Sequence, residues 1–242
     1  MKKITYDIEW ELDKSHWWFV GRRKLLNHLL ASLNIPRDSL IIDIGCGVGS
    51  NISLLGSLGL NLIGIDMDLY GLSLAKKRFP NIPLVNGDLL KLPFKSNSFY
   101  CVIATDILEH LDQDHIGMEE INRVLKPGGA NIITVPAFKF LWGIQDVIGM
   151  HHRRYTKKGL LKLLEGQEFR IMKSSYFNLF LFFPILAARY LIRFFKLKVE
   201  SENEINIPLI NFILKSVFLF EVYLLKYISF PIGVSIFCIA KK

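Results

Sequence analysis

A doubly wound α/β sheet is the architecture this 242-residue sequence predicts. Three observations predict it. Short apolar runs end in acids at Asp43, Asp66 and Asp88. The stretches between the runs suit helical crossovers, which parallel strands require. The first run, Leu40-Ile-Ile-Asp-Ile44, turns directly into Gly45-Cys-Gly-Val-Gly49. Glycines at alternate positions let the backbone turn tightly and approach a ligand with no Cβ in the way. In an open α/β sheet the carboxyl end of the first strand is where nucleotide-like ligands bind.

The glycine spacing separates two readings. A dinucleotide fingerprint wants G-x-G-x-x-G or A, and here the third position is Ser50. Leu60 to Asp66 is a second buried-strand pattern, with its acid 21 residues beyond Gly45. A strand-end carboxylate there can accept hydrogen bonds from vicinal ribose hydroxyls. A third candidate strand starts at Ile82 and ends in Asn86-Gly-Asp88, followed by Leu89. Phe99 to Thr105 is a fourth, leading into Asp106-Ile-Leu-Glu-His110. Val124 to Gly129 reads as a helix end and a Pro-Gly turn, and Ala130 to Pro136 as a fifth strand. Gly166 to Tyr176 reads as a helix end and a sixth strand, and Gly233 to Lys242 as the last.

These features occur in order: Asp43 before G-x-G-x-G, acids at Asp66 and Asp88, D-x-L-E-H at Asp106–His110 and L-K-P-G-G at Leu125–Gly129. Over residues 40–136 the set resembles the class I S-adenosyl-L-methionine (SAM)-dependent methyltransferases. The resemblance implies a Rossmann-like, seven-stranded sheet whose last strand inserts antiparallel between the fifth and sixth. It implies SAM as cofactor, held by Asp43, Gly45, Cys46 and Gly47 of the loop and by Asp66 at the ribose. Asp88 would meet the exocyclic amine of adenine, Met67 and Leu89 would flank the ring, and Asp106 would lie below the methionine end. His110 reads either as a general base or, with Glu109, as a cap for the next helix.

The chain is expected to be one domain: a cap over residues 1–39, a core over 40–177 and 230–242, and an apolar helical insertion over 178–229. Cys46, Cys101 and Cys238 all lie in or beside apolar strand patterns, which fits reduced thiols in a cytoplasmic protein. Cys46 has no basic neighbour in sequence and reads as a small packed residue, not a nucleophile. No C-x-x-C or H-E-x-x-H spacing occurs, so no metal site is expected. Met1-Lys-Lys is not followed by a continuous apolar stretch, so no signal peptide is expected.

The net charge of +8 is concentrated: residues 153–198 hold eleven Lys and Arg against two acids. Such a region favours an anionic partner, whether phosphate, nucleic acid or an anionic membrane surface. Hydrophobic residues are 51% of the chain and the mean hydropathy is +0.31, so apolar surface bears on the choice. The excess sits in Tyr176–Phe195 and Ile207–Phe230. Neither is a clean span, because Pro184, Arg189 and Arg193 interrupt the first and Lys215, Glu221 and Lys226 the second. At helical spacing Asn211, Lys215 and Lys226 fall on one stripe. Amphipathic helices lying at the inner face of a membrane fit this pattern. A cap buried against protein, a homodimer face and a transmembrane hairpin are the other readings.

Two segments are expected to see the substrate. Glu9 to Phe19 carries Trp10, Trp17 and Trp18 ahead of a helix expected near Gly21. Their rings could hold a ring, a sugar or the sulfonium cation, or pack the added helix onto the sheet. Trp142 to Tyr155 follows the fifth strand and contains Asp146 and His151-His-Arg-Arg-Tyr155. This H-x-R-R-Y run, with H-W-W-F at His16–Phe19, resembles a subgroup of uncharacterised prokaryotic methyltransferases. His151 is the candidate base, Arg154 and Tyr155 are candidate substrate contacts, and Arg153 could also clamp a phosphate or carboxylate. The expected reaction is O-methylation of a small or lipid-linked anionic acceptor, such as a saccharide, quinone precursor or polyprenyl compound. A nucleic-acid methyltransferase is the competing enzyme. The lack of an Asn-Pro-Pro-Tyr-like run and of an appended RNA-binding module counts against it. A catalytically silent SAM-binding partner that tethers another protein to a membrane is the reading from a different class.

Overall fold

Apolar runs bounded by glycines, acids and helix ends become the strands of one sheet. They are β1 (Leu40–Ile44), β2 (Asn61–Asp66), β3 (Leu84–Asn86), β4 (Phe99–Thr105), β5 (Leu125–Pro136), β6 (Arg170–Phe177) and β7 (Ser235–Lys241). The structure, a computed structural model, describes residues 3–195 and 207–242. The sheet order is β3-β2-β1-β4-β5-β7-β6. The first five strands pair in parallel. The last runs antiparallel between β5 and β6, as the resemblance implied. The central strands β1 and β4 are almost wholly buried, because parallel strands are covered on both faces. The winding reverses between β1 and β4, and ligands of such Rossmann-like sheets bind at the strands' carboxyl ends there.

The helices are α1 (Lys3–Leu12), α2 (Trp17–Ala31), α3 (Ile52–Ser57), α4 (Leu69–Arg78), α5 (Asp114–Val124), α6 (Ile144–Ile148), α7 (Lys157–Glu165), α8 (Phe182–Phe194) and α9 (Pro208–Leu224). α2 begins four residues before Gly21, because the His16 ring accepts the Trp18 N–H at 3.4 Å and caps the helix at its start. β5 also begins early. Leu125 pairs with Phe99 and Ala130 with Cys101, so Lys126–Gly129 bulges out between them.

The insertion is fastened to the cap. α9 packs on α2 through Gly21, where a Cβ would lie 2.0 Å from the Phe218 ring. Asn211 accepts the Trp17 N–H at 2.7 Å and donates to the Ser15 carbonyl at 3.0 Å. It therefore bridges two helices, whereas the sequence placed it on a polar stripe with Lys215 and Lys226. Buried Glu221 accepts the backbone N–H groups of Asn178 and Phe180. Pro184 sits in the first turn of α8, where a missing N–H breaks no helical bond. Among the described residues no helix is long and apolar enough to cross a membrane. Residues 196–206 of the expected insertion, with Lys196 and Lys198 of the basic segment, lie outside the described residues.

Candidate active site

The glycine loop takes the shape its residues allow. Gly45, Gly47 and Gly49 have φ of +71°, +50° and +88°, a region open to glycine and strained for other residues. The loop is tied to β2 three times: the Gly45 and Cys46 N–H groups donate to the Ile65 carbonyl, and the Gly47 N–H to Asp66 Oδ2 at 2.8 Å. Asp66 Oδ1 accepts the Asp68 N–H at 2.9 Å. Burial pushes the Asp66 carboxyl above its ordinary range, while these two N–H groups pull it back.

Asp43 is fully buried. Burial raises it to about 7, against the Asn51 amide, which donates to Oδ1 at 3.1 Å. Its Oδ2 has no hydrogen-bond partner among the described residues. Cys46 is buried and its thiol is pushed upward by burial, consistent with a packed residue. Met67 is exposed and Leu89 buried, with Asp88 exposed beside it.

Asp106 follows β4 with φ +55°, in the left-handed region. Its Oδ2 meets Arg22 of α2 at 3.0 Å, and its Oδ1 accepts the Thr134 hydroxyl at 3.0 Å. Next to it opens a cavity of about 240 Å³. Its lining carries Arg22, Arg154 and Arg189 with the imidazoles of His110 and His151, the carboxylates of Glu9, Asp106, Glu109 and Asp146, and apolar surface from Trp17, Trp18, Ile185 and Val234. α1 lies over the loop, with Glu9 Oε1 accepting the Ser50 hydroxyl at 2.8 Å.

The segment after β5 is pinned at both ends, since Ala137 and Tyr155 form a parallel bridge. Between them the H-x-R-R-Y run divides. His151 and Arg154 turn inward to fully buried Asp146, at 2.9 Å from Nδ1 and 2.7 Å from Nε respectively. Against the burial that would raise it, these contacts and the Gly143 N–H hold Asp146 down to about 2. His152 and Arg153 turn instead to Asp112 and Asp114. The Tyr155 hydroxyl donates to Asp114 and does not line the cavity, so the structure does not bring it to the other candidates. The His110 and His151 rings meet edge to face, 4.7 Å apart. Trp17 and Trp18 both pack on Phe218 and line the cavity, while Trp10 lies under Arg78. Arg22 and Arg189 were missed as site residues, and nothing in their local spacing singles them out; Glu109, read with His110 in the D-x-L-E-H run as a helix cap, lines the cavity.

Residues 42–133 match the family described as "Methyltransferase domain". That match runs from within β1 through most of β5, the elements whose carboxyl ends carry the glycine loop, Asp66 and Asp106. These residues are a methyltransferase domain of the class I SAM-dependent kind. SAM is the cofactor of this methyltransferase domain. The uncharacterized methyltransferase YodH of Bacillus subtilis is 40% identical over 106 residues, covering 42% of this chain and 45% of that one. A demethylmenaquinone methyltransferase of Staphylococcus epidermidis is 30% identical over 165 residues, covering 62% and 66%. The chain spans about half to two thirds of the length of the curated relatives it matches. Among solved structures, Haemonchus contortus phosphoethanolamine N-methyltransferase 2 with bound SAM superposes at a TM-score of 0.57 and 18% identity, over 89% of this chain and 51% of that one. The methyltransferase fold is thereby shared; the acceptor is a separate question.

Proposed function

We propose that this chain transfers a methyl group from SAM to an oxygen of an anionic, amphiphilic acceptor met at a membrane surface. The observation that carries this reading is the cavity beside Asp106. It combines imidazoles and guanidiniums with tryptophan and aliphatic walls, and one of those walls is α8. The positive-φ glycines, the unpartnered Asp43 Oδ2 and the strand-end Asp66 support the nucleoside of SAM lying along β1 and β2. Asp88, Met67 and Leu89 are then the adenine contacts, and Asp106 with Arg22 faces the methionine end. When bound, SAM supplies a methyl group already activated by its sulfonium.

What the chain's own residues contribute is alignment and charge. Positioning of two reactants is a large part of the barrier in such transfers. Asp146 engages His151 Nδ1, which leaves Nε2 to take a proton from an acceptor hydroxyl. Arg22, Arg154 and Arg189 offset acceptor charge around the cavity. The outer side of α8 and α9 supports membrane contact: Phe183, Phe194, Leu209 and Phe212 are each more than 60% exposed. Arg193 of α8, Lys215 of α9 and Lys226 just beyond α9 suit anionic headgroups. Relatives named as demethylmenaquinone methyltransferases support the amphiphilic character of the acceptor.

The test offers methyl-labelled SAM and a panel of hydroxylated amphiphiles (quinols, polyprenyl phosphates, glycolipids) in anionic vesicles. Transfer that requires the vesicles is the expected result, with the double variant Leu209→Ser/Phe212→Ser binding vesicles at least tenfold less. Each large apolar side chain withdrawn from water contributes about 1.5–3 kcal/mol. Transfer to RNA or to soluble acceptors alone, without vesicle partitioning, would overturn the reading.

A further inference from the structure

Glu109, His110 and His151 converge in the cavity wall, their ligand atoms all within 4.8 Å of one another. From this juxtaposition we infer that the three side chains bind one divalent first-row metal ion, with Zn²⁺ as the type. Two imidazoles and one carboxylate make a recurrent set for such ions, leaving a position open to a further ligand. Ligands about 2.1 Å from an ion lie no more than about 4.2 Å apart, so small ring rotations close the site.

Three further observations point the same way. Glu109 is fully buried, yet neither carboxylate oxygen has a hydrogen-bond partner among the described residues. A buried carboxylate without a partner is costly unless a cation faces it. Both imidazoles are also oriented through their backs, as metal-ligating histidines usually are. His151 uses Nδ1 on Asp146 at 2.9 Å, and the His110 ring hydrogen-bonds the Gly149 backbone. Finally, the His110 and His151 rings meet edge to face with centroids 4.7 Å apart, so the two imidazoles stand together in the cavity wall. Arg154 Nε meets the same Asp146 oxygen at 2.7 Å and fixes that carboxylate in turn, and its charge also acts on Glu109.

The inference rests on the cavity being the acceptor site, because the open position faces the space the acceptor would fill. His151 Nε2 cannot hold a proton and an ion together. Metal loading and proton transfer through His151 therefore exclude each other.

The test uses the full chain, free of any histidine tag and dialysed against chelator, titrated with Co²⁺ as a spectroscopic probe. Expected are visible d–d bands that saturate at one equivalent and vanish when Zn²⁺ is added. His110→Ala should weaken Co²⁺ binding by more than about tenfold. Glu109→Gln should do the same, and exposed His115→Ala should leave it unchanged. Because Glu109 is buried, thermal unfolding and SAM titration accompany every variant. Wild-type protein that binds SAM but shows no d–d bands overturns the metal site alone. So does a His110→Ala protein that binds Co²⁺ like the wild type. Failure to bind SAM overturns the proposed function instead.

Discussion

Replacing Asp66 by Asn isolates the cofactor contact from the fold. The carboxylate accepts two N–H groups, from Gly47 at 2.8 Å and Asp68 at 2.9 Å, one on each oxygen. An Asn side chain has one acceptor oxygen and one NH₂, so whichever way it faces, a donor meets a donor. Losing one backbone hydrogen bond to a charged group costs folding roughly 1.5–3 kcal/mol, in the free and the SAM-bound protein alike. A ribose hydroxyl that would donate to the same carboxylate loses a bond of the same class, roughly 1.5–3 kcal/mol. That loss predicts SAM binding weaker by roughly 10- to 150-fold, at about 1.4 kcal/mol per tenfold. Burial works against the charge of Asp66, so the neutral amide recovers part of the folding loss and the melting temperature should move little. Calorimetric titration with SAM, S-adenosylhomocysteine and NAD, beside a thermal melt, measures both quantities. A SAM affinity within threefold of wild type would refute the assignment of Asp66 to the nucleoside. Binding of NAD in place of SAM would refute the cofactor reading as a whole.

Gly21→Ala places a methyl group 2.0 Å from the Phe218 ring, and such overpacking costs about 1–3 kcal/mol; an unchanged urea midpoint would refute the α2–α9 contact. Gly47→Ala meets nothing closer than 3.8 Å, so its folding loss is the left-handed strain of about 1–2 kcal/mol, while its SAM affinity should fall further. Gly49→Ala adds a 2.7 Å clash with Phe79 and should melt lower than Gly47→Ala; the reverse order would show that the loop is not held as described. Burial raises Glu221 from 4.5 to about 7, so between those values the folded chain binds more protons than the unfolded one. The stability this contributes is complete below pH 4.5 and lost as pH rises to about 7, on the order of 3 kcal/mol. Glu221→Gln should flatten that slope in unfolding measured against pH, and parallel curves for the two proteins would count against it.

The half of the site that can be read along the chain is the half built from consecutive residues. Asp43 and the glycines belong to one strand and its turn, so their spacing is their geometry. Asp66 and Asp106 close strands whose apolar runs are plain in the sequence, and parallel pairing brings their ends together. The other half depends on side chains that meet only after folding. Glu109 and His151 lie 42 residues apart and meet because the Ala137–Tyr155 bridge returns the loop to the sheet. The H-x-R-R-Y run looked like five functional groups, yet Asp112 and Asp114 take three of them, His152, Arg153 and Tyr155. Nothing local distinguishes His151 from His152; the position of Asp146 decides which imidazole turns inward. The cap shows the same limit, since Arg22 reaches Asp106 across 84 residues of chain.

The bridge between Ala137 and Tyr155 has a consequence for how this protein could change. Ala137 follows β5 and Tyr155 returns beside it, so the segment between them leaves and rejoins the sheet at one place. Residues 138–154 supply His151, Arg154 and the carboxylate that orients them, and leave the glycine loop untouched. The segment is therefore a cassette. Transplanted between the same two anchors of a sister protein, it would transfer acceptor preference while methyl-donor affinity stayed with the host.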